Sequence, residues 1–365
     1  MRTSITRCQS ACFQKRMKLR PLGLTGNLFA FHPKPLLDEL LTSWLMRIAH
    51  GNGLKVHPFA RLYFDHQQQI WNRDFDKCAT DAFLQTIAGY SAISYKQALG
   101  TTLRGFEGVL YESHNPYGNT KWLLPIGIYH RKRKLFGLQY CPLCLFHDAQ
   151  PYFRRRWRLA FHTACDIHRI RMHDRCPDCE SPISFYRTEL GDRNSYPGSS
   201  MAHCHHCGFD LARSPVQHDN WSSWQMSVAH QSLLNWFDTG WSFATGQVQH
   251  YSHLYFDGLH QLCKLLLMTN RSPTIEQFRQ TLQRESGTQW EDAILGKPFE
   301  TQSLEVRHNI IGNAIWLTQH WPTRFLGLSK MTGLRFSDAT RDLHVKPFWF
   351  FDAIEQHIKE PSYIF

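Results

Sequence analysis

Four short ligand pairs between residues 141 and 207 constrain this chain more than any other feature. The two members of each pair are separated by two residues, so both side chains lie on one tight turn and can point at one ion. Four-coordinate Zn²⁺ takes two such pairs, bound as thiolate or imidazole. The pairs, in order, are Cys141 and Cys144, Cys165 and His168, Cys176 and Cys179, and Cys204 and Cys207.

Taken in sequence order, the pairs predict two complete metal sites. The first comprises Cys141, Cys144, Cys165 and His168, and the second comprises Cys176, Cys179, Cys204 and Cys207. Four protein ligands leave no open position for water or substrate, so both sites are predicted to hold structural rather than catalytic Zn²⁺. Two alternatives stay open, because nearby histidines could replace a cysteine, or the pairs could interleave. Those histidines are His162, His173, His203, His205 and His206.

Composition favours a basic protein of a reducing compartment. With 365 residues the chain is long enough for two or three domains, and its formal net charge of +11 suggests a polyanionic partner such as DNA. The cysteines outside the pairs are scattered, which fits the cytoplasm better than a disulfide framework. They are Cys8, Cys12, Cys78 and Cys263. No apolar run is long enough to span a membrane.

Two basic segments are candidate DNA contacts. Between residues 130 and 175 the chain has eleven Lys and Arg against three Asp. Loops held in place by zinc would fix such charges for phosphate contacts. The first segment is predicted to be a solvated patch, whereas for the second we weigh DNA contact equally against pairing with carboxylates inside the domain. The first comprises Arg131, Lys132, Arg133 and Lys134, and the second comprises Arg154, Arg155, Arg156 and Arg158.

The rest of the chain predicts a mainly α fold. Pro33 and Pro35 lead into a helix with Asp38 and Glu39 in its first turn and an apolar face that includes Trp44. Two helix-turn-helix candidates occur, at residues 80–99 and 325–343. The predicted domains are a basic flexible tail (1–28), an N-terminal helical domain (29–135), a tandem zinc-ribbon region (136–213) and a C-terminal helical domain (214–365). Walker A, GxSxG, HExxH and GxGxxG motifs are absent, so no enzymatic activity is predicted.

Several stretches are similar to the TniQ family of transposon target-selection proteins, which also includes TnsD. The resemblance covers about residues 29–212. An N-terminal lead runs into a helix with the pattern D/E-L-x-x-S-W-L-x-R, and aromatic and arginine motifs surround the first ligand pairs. The matching residues are Phe31 to Pro35, Glu39-Leu40, Ser43-Trp44-Leu45, Arg47, Trp71 to Asp74, Tyr140 to Cys144, Tyr152-Phe153-Arg154, Trp157-Arg158-Leu159, Cys165, His168 and Cys176 to Cys179.

The resemblance implies a non-enzymatic cytoplasmic protein that acts at the nucleoid. Its zinc ribbons would be held by the eight ligands, and residues 36–100 would contain a helix-turn-helix. It would mark an insertion site and recruit a TnsC-like AAA+ ATPase, which brings the transposase. Family members either bind specific attachment-site DNA or dock on an RNA-guided Cascade complex, often as a homodimer, and both modes stay open here.

Two other functions compete with target selection. A zinc-ribbon transcription regulator would bind specific DNA without an ATPase or transposase as partner. A zinc-stabilised nuclease or recombinase would cleave DNA in a reaction that depends on divalent metal and on a carboxylate cluster. The ligand spacing is compatible with both. We prefer target selection to the regulator, and the regulator to the enzyme, in part because of the family resemblance.

Overall fold

The computed structural model describes residues 28–64, 70–130, 132–188, 200–221, 224–242, 250–269, 272–290 and 292–358. Of the predicted basic tail, only residue 28 falls within these ranges. Thirteen α-helices and two small antiparallel ribbons occur in the described part of the chain, which confirms the mainly α prediction. No helix there is both long and apolar enough to cross a membrane.

Five helices precede the metal-ligand region. The first contains Trp44, as predicted, and both members of the first helix-turn-helix candidate are helical; its role in binding DNA stays a prediction. They are α1 (Leu41–Gly51), α2 (Val56–Tyr63), α3 (Phe75–Cys78), α4 (Asp81–Tyr90) and α5 (Tyr95–Leu99).

Helix α1 is the centre of this region, and distant segments cap it. The Leu40 and Leu41 N–H groups donate to the carbonyls of Phe153 and Thr101, each at 2.8 Å. The Thr42 N–H donates to Asp76 Oδ1 at 2.8 Å, and its hydroxyl donates to Oδ2 at 3.0 Å. The amides at the start of the helix thus find tertiary partners instead of a local capping side chain.

The predicted place of Asp38 and Glu39 in the first turn of α1 is wrong, because the helix begins at Leu41, two residues after Glu39. The Glu39 carboxylate is buried and accepts hydrogen bonds from the Leu36 N–H (2.9 Å), the Ser43 hydroxyl (3.1 Å) and Arg47 Nη1 (2.6 Å). Burial raises the pKa of this carboxyl, and Arg47 opposes the rise. Glu39, Ser43 and Arg47 therefore form one chain of contacts along the helix.

Residues 100–221 contain few regular elements. Apart from 3₁₀ turns, the described residues of this region form one antiparallel ribbon and one short helix. These elements are β1 (Ile128–Tyr129), β2 (Lys132–Arg133) and α6 (Pro142–His147).

The C-terminal part is a second set of packed helices, as the predicted C-terminal helical domain requires. A two-stranded ribbon, β3 (Trp241–Ser242) with β4 (His250–Tyr251), separates the first two helices. The second helix-turn-helix candidate corresponds to α11 and α12, joined at Gly333, which adopts the left-handed conformation at φ 64°. The helices are α7 (Trp224–Thr239), α8 (Ser252–Leu266), α9 (Pro273–Ser286), α10 (Leu304–Gln319), α11 (Thr323–Thr332), α12 (Phe336–Ala339) and α13 (Phe348–His357).

Trp122 joins the central region to the C-terminal helices. Its side chain is fully buried. The backbone N–H donates to Glu300 Oε1 at 2.6 Å, and the indole Nε1 donates to the Phe256 carbonyl at 3.2 Å. The indole ring makes edge contacts with four other rings, with centroids 5.0–6.1 Å apart. These rings belong to Phe161, Phe256, His260 and Phe299. Trp122 thus lies inside a pocket that the C-terminal part largely provides.

Arg307 on α10 makes a second joint of the same kind. Its side chain is 1% exposed, and Nη1 donates to the Ala160 carbonyl at 2.7 Å and to Gln139 Oε1 at 3.2 Å. Burial lowers the pKa of this guanidinium to about 10. A buried arginine that donates to two segments of the ligand region fixes α10 against that region.

We expect Asp76→Asn to change how stability depends on pH. Burial, together with the neighbouring Asp74, raises the pKa of Asp76 from 3.8 to about 6. The protonated carboxyl therefore adds stability that is fully present below the unfolded pKa and is lost as pH rises through the folded pKa. Relative to the variant, the free energy of unfolding of the wild type should fall by about 1 kcal/mol between pH 5 and 7, as measured by urea unfolding.

The control for this titration is Asp292→Asn, which changes an exposed aspartate. Its stability should follow that of the wild type across the same pH range. Parallel curves for Asp76→Asn and the wild type would show that Asp76 does not titrate in this window.

Candidate metal centres

The structure brings the first predicted ligand set together. The Cys144 and Cys165 sulfurs lie 3.7 Å apart, and His168 Nδ1 lies 3.4 Å from the sulfurs of Cys141 and Cys144 and 3.7 Å from that of Cys165. A tetrahedron around Zn²⁺ with bonds of about 2.0–2.3 Å has edges of about 3.3–3.8 Å. The sulfurs are too far apart for a disulfide bond, which measures about 2.05 Å. The donor atoms therefore fit one tetrahedral ion.

The second predicted set is assembled in the same way. The sulfurs of Cys176 and Cys207 are 3.6 Å apart, as are those of Cys179 and Cys204. All four sulfurs lie within 4.8 Å of one another. This quartet also fits a tetrahedral ion such as Zn²⁺, with no position left for a substrate.

Three of the four ligand pairs lie on separate turns that have the same geometry. The N–H of the first ligand donates to the carbonyl five residues later at 2.8–3.0 Å, and its own carbonyl accepts from the N–H four residues later at 2.9–3.0 Å. The fourth residue after the ligand has a left-handed backbone, with φ between 53° and 78°. The turns are Cys165 to Ile170, Cys176 to Ser181 and Cys204 to Phe209, with left-handed Arg169, Glu180 and Gly208.

The first pair is built differently, at the start of α6. Cys141 is the N-cap residue, and its sulfur accepts from the Cys144 N–H at 3.4 Å. Pro142 occupies the first turn, where its missing N–H costs nothing. The helical turn brings the Cys144 sulfur to 3.7 Å from the sulfur of Cys165, which lies on the turn from Cys165 to Ile170.

The flanking histidines belong to neither quartet. His162 lies against Asp166, with Nε2 3.4 Å from Oδ1. His173 Nε2 is 2.8 Å from the Pro215 carbonyl, and the ring stacks on Tyr140. The pairs combine in sequence order, so the structure assembles neither histidine replacement nor interleaved pairs.

The two quartets differ in burial. The three cysteines of the first set are at most 3% exposed, and they lie among the buried residues of the core. In the second set Cys207 is exposed and Cys179 is partly exposed. We therefore expect the first centre to support the whole fold and the second to support its own loops.

Arg156 lies at the centre of a group of ion pairs beside the first quartet. Nε is 3.0 Å from Asp38, Nη1 is 2.8 Å from Asp166 and Nη2 is 3.2 Å from Asp238. Asp38 precedes α1, Asp166 lies inside the Cys165–His168 turn, and Asp238 lies near the end of α7. One guanidinium therefore connects the N-terminal helices, the first ligand set and the C-terminal helices.

Arg158 makes a buried bidentate pair with Asp74. Nη1 and Nη2 lie 3.0 and 2.6 Å from the two carboxylate oxygens, and Nη2 also donates to the Leu124 carbonyl at 2.9 Å. The side chain of Arg158 is 1% exposed. Burial alone would raise the pKa of Asp74, but the guanidinium holds it below its ordinary value. Asp74 ends the Trp71–Asp74 motif, which gives that motif a structural role.

The other two arginines of the second basic segment are also paired. Arg154 binds both oxygens of Asp148, at 2.8 and 3.0 Å, and Arg155 Nε lies 3.0 Å from Asp38. Of the two interpretations left open for this segment, internal pairing describes what the structure contains. A role of these arginines in DNA binding stays a prediction.

The first basic segment is divided by its position in the fold. Arg131 lies outside the described residues. Lys132 and Lys134 are exposed, as expected for a solvated patch, whereas Arg133 is 7% exposed and faces inward. Sequence reasoning also missed Tyr129, which is 59% exposed beside them, and the aspartates that pair with the arginines of the second basic segment.

The fold and the site define a mainly helical protein with two sets of four residues that could each hold a metal ion, the first tied to the N-terminal helices by ion pairs. Residues 30–172 match the family model described as TniQ, so the chain contains a TniQ domain. The matched region contains the first quartet and ends before the second. The family is associated with DNA targeting in transposition, and its members are generally non-catalytic adaptors. No curated protein matches the chain.

We expect the two metal centres to respond differently to loss of a ligand. Cys144→Ser and Cys176→Ser should each reduce the zinc content from two ions per chain to one, as measured by elemental analysis. Structural zinc binding contributes about 10 kcal/mol or more to folding. Because the second quartet includes the partly exposed Cys179 and the exposed Cys207, Cys144→Ser should lower the melting temperature of the whole chain, whereas Cys176→Ser should mainly increase proteolysis near residues 176–207.

Cys78→Ser is the matched control, since Cys78 belongs to neither quartet. It should keep two zinc ions and the wild-type melting temperature. Two bound ions in Cys144→Ser or Cys176→Ser would contradict the ligand assignment.

Arg158→Ala is expected to destabilise the protein strongly. The substitution leaves the partly buried carboxylate of Asp74 and the buried carboxylate of Asp76 without their guanidinium partner, and breaking a buried pair costs about 3–5 kcal/mol. Arg213→Ala removes an 82% exposed arginine and should change stability by less than about 0.5 kcal/mol. Urea unfolding measures both. A loss below about 1 kcal/mol for Arg158→Ala would show that the pair does not stabilise the fold.

Proposed function

We propose that the protein is a non-catalytic target-site selector for DNA transposition that carries two structural Zn²⁺ ions. It would link a target to a TnsC-like AAA+ ATPase and through it to the transposase. The observation that carries this proposal is the TniQ match over residues 30–172. The matched segment is also the part of the chain in which α1, the ion pairs and the first quartet form one connected unit.

The chemistry of the site supports a binding role over catalysis. Each quartet supplies all four ligands of a tetrahedral ion, so a bound Zn²⁺ would have no position for an activated water. The carboxylates near the first quartet are already paired with arginines. Asp38, Asp74, Asp148 and Asp166 each bind a guanidinium. They act as partners of cations and are therefore poorly placed to hold the Mg²⁺ ions of a nuclease.

Charge supports direct contact with DNA as the mode of targeting. The sequence has no acidic residue between Glu112 and Asp148, although five Lys and Arg lie in that interval. The described lysines of the first basic segment are exposed. A zinc-stabilised frame that displays exposed lysines suits phosphate contacts. Docking on an RNA-guided Cascade complex, with or without a homodimer, is the alternative that the following experiment separates.

Recruitment on defined targets tests this function. The zinc-loaded full chain is mixed at fixed salt with random duplex DNA, attachment-site duplex DNA or an RNA-guided Cascade complex, and the AAA+ ATPase is added. We expect the protein to bind duplex DNA and to bring the ATPase to it, because family members act as adaptors. Native mass measurement gives the stoichiometry, including any homodimer.

The same assay separates the competing functions. Specific DNA binding without recruitment of the ATPase would favour the transcription regulator. Cleavage of DNA that depends on Mg²⁺ would favour a nuclease. Capture of Cascade together with negligible DNA binding would replace direct DNA contact by adaptor docking.

A further inference from the structure

A short hairpin projects the exposed part of the first basic segment. Strands β1 and β2 pair Ile128 with Arg133 and Tyr129 with Lys132, and only two residues connect the strands. The pairing continues below, where the Lys134 N–H donates to the Gly127 carbonyl at 3.0 Å. We call residues 126–130 and 132–135 the basic hairpin; Arg131 lies outside the described residues.

Alternation along β2 separates an anchor from the exposed cations. Successive side chains of a strand point to opposite faces. Arg133 points inward: Nη1 donates to the Ile183 carbonyl at 3.0 Å, and the guanidinium lies 5.2 Å from the Tyr186 ring centroid. Lys132 and Lys134, on either side, are exposed. Arg133 therefore fixes the basic hairpin next to the second metal centre while its neighbours point to solvent.

Two glycines hold the base of the basic hairpin in close packing. Gly127 has φ +50°, and a Cβ there would lie 2.8 Å from Leu135 Cγ on the opposite strand. A Cβ on Gly137 would lie 2.3 Å from the Pro125 carbonyl oxygen. Because larger side chains do not fit at either position, the hairpin leaves the core along a defined direction.

The exposed end of the basic hairpin combines an aromatic ring with cations. Tyr129 is 59% exposed, and Lys134 Nζ lies 4.4 Å from its ring centroid. The rings of Tyr129 and His130 meet edge to face with centroids 4.2 Å apart. Residues 113–147 contain no acidic side chain that could neutralise this surface from nearby in sequence. The result is a narrow two-stranded ribbon with exposed cations and one exposed tyrosine.

We propose that the basic hairpin enters the major groove of duplex DNA. In this arrangement Lys132 and Lys134 bind phosphates along the groove, Tyr129 contacts base edges, and Arg133 remains a structural anchor. The B-DNA major groove is about 12 Å wide and admits a two-stranded β-ribbon. The major groove of A-form RNA is too deep and narrow for side chains to read, so the geometry favours DNA. The inference rests on direct contact with DNA in the proposed function.

A charge-matched pair of variants tests the phosphate contacts. Lys132→Ala with Lys134→Ala removes two cations from the basic hairpin, whereas Arg284→Ala with Lys297→Ala removes two exposed cations from the C-terminal part. Affinity for random duplex DNA is measured by fluorescence anisotropy between 50 and 300 mM salt. We expect the hairpin variant to bind about 10- to 100-fold more weakly at 0.1 M salt and to lose about 1.8 from the salt slope. The control should retain the wild-type slope and affinity.

Tyr129→Ala tests the placement in the groove. We expect weaker binding with an unchanged salt slope, because no charge is lost. Dimethyl sulfate, which modifies guanine N7 in the major groove, should show protection by the wild type that is lost in Tyr129→Ala. Both variants should keep two zinc ions and the wild-type circular dichroism spectrum, because the substituted side chains are exposed.

The outcomes separate this inference from the proposed function. If the wild type binds duplex DNA but the Lys132 and Lys134 variant binds equally well, the hairpin assignment is wrong and direct DNA contact stands. If the wild type binds no duplex DNA, direct contact itself is wrong. Tighter binding to duplex RNA than to DNA, or protection at the minor groove alone, would overturn the placement in the major groove.

Discussion

The structure depends on the guanidinium of Arg156, which binds carboxylates from three parts of the chain. Replacing buried ion pairs by apolar residues often leaves stability unchanged, so their contribution here is mainly one of geometry. An apolar contact between α1, the first ligand turn and α7 would tolerate sliding, whereas a planar fork with three fixed acceptors does not. Arg154, Arg155 and Arg158 extend the same principle to Asp148, Asp38 and Asp74. A run of positive charge that resembles a DNA-binding surface is thereby used to set the orientation of helices.

Metal coordination replaces regular secondary structure in the centre of the chain. Between α5 and α7 the described residues form one short ribbon, one six-residue helix and several 3₁₀ turns. Such a region has few repeated backbone hydrogen bonds to define its path. The ligand-bearing turns fix the path of the backbone locally, and each quartet joins turns that are far apart in sequence. The first quartet continues into the hydrophobic core, and the second supports the surface on which the basic hairpin is anchored.

Sequence patterns correctly predicted the features that depend on residues close together in the chain. Ligand spacing predicted both quartets, and apolar periodicity predicted the main helices, because both depend on residues a few positions apart. The partners of the arginines were not predictable, since Asp38 and Arg156 are 118 residues apart and Asp74 and Arg158 are 84 residues apart. The start of α1 was misplaced for the same reason: its cap, Asp76, comes from α3. In the basic segment, only strand pairing reveals that Arg133 faces inward while its neighbours do not.

The packing of Trp122 limits which C-terminal regions can be combined with the matched segment by recombination. The family match ends at residue 172, yet this tryptophan inside the matched segment is enclosed by Phe256, Phe299 and His260 from beyond it. The segment that similarity recognises is thus smaller than the segment that packs as a unit. A recombination event that joined residues 30–172 to an unrelated C-terminal region would leave the indole with no enclosing pocket and the Trp122 backbone N–H without its Glu300 acceptor. Inheritance of the matched segment is therefore tied to inheritance of a compatible helical partner in the same chain.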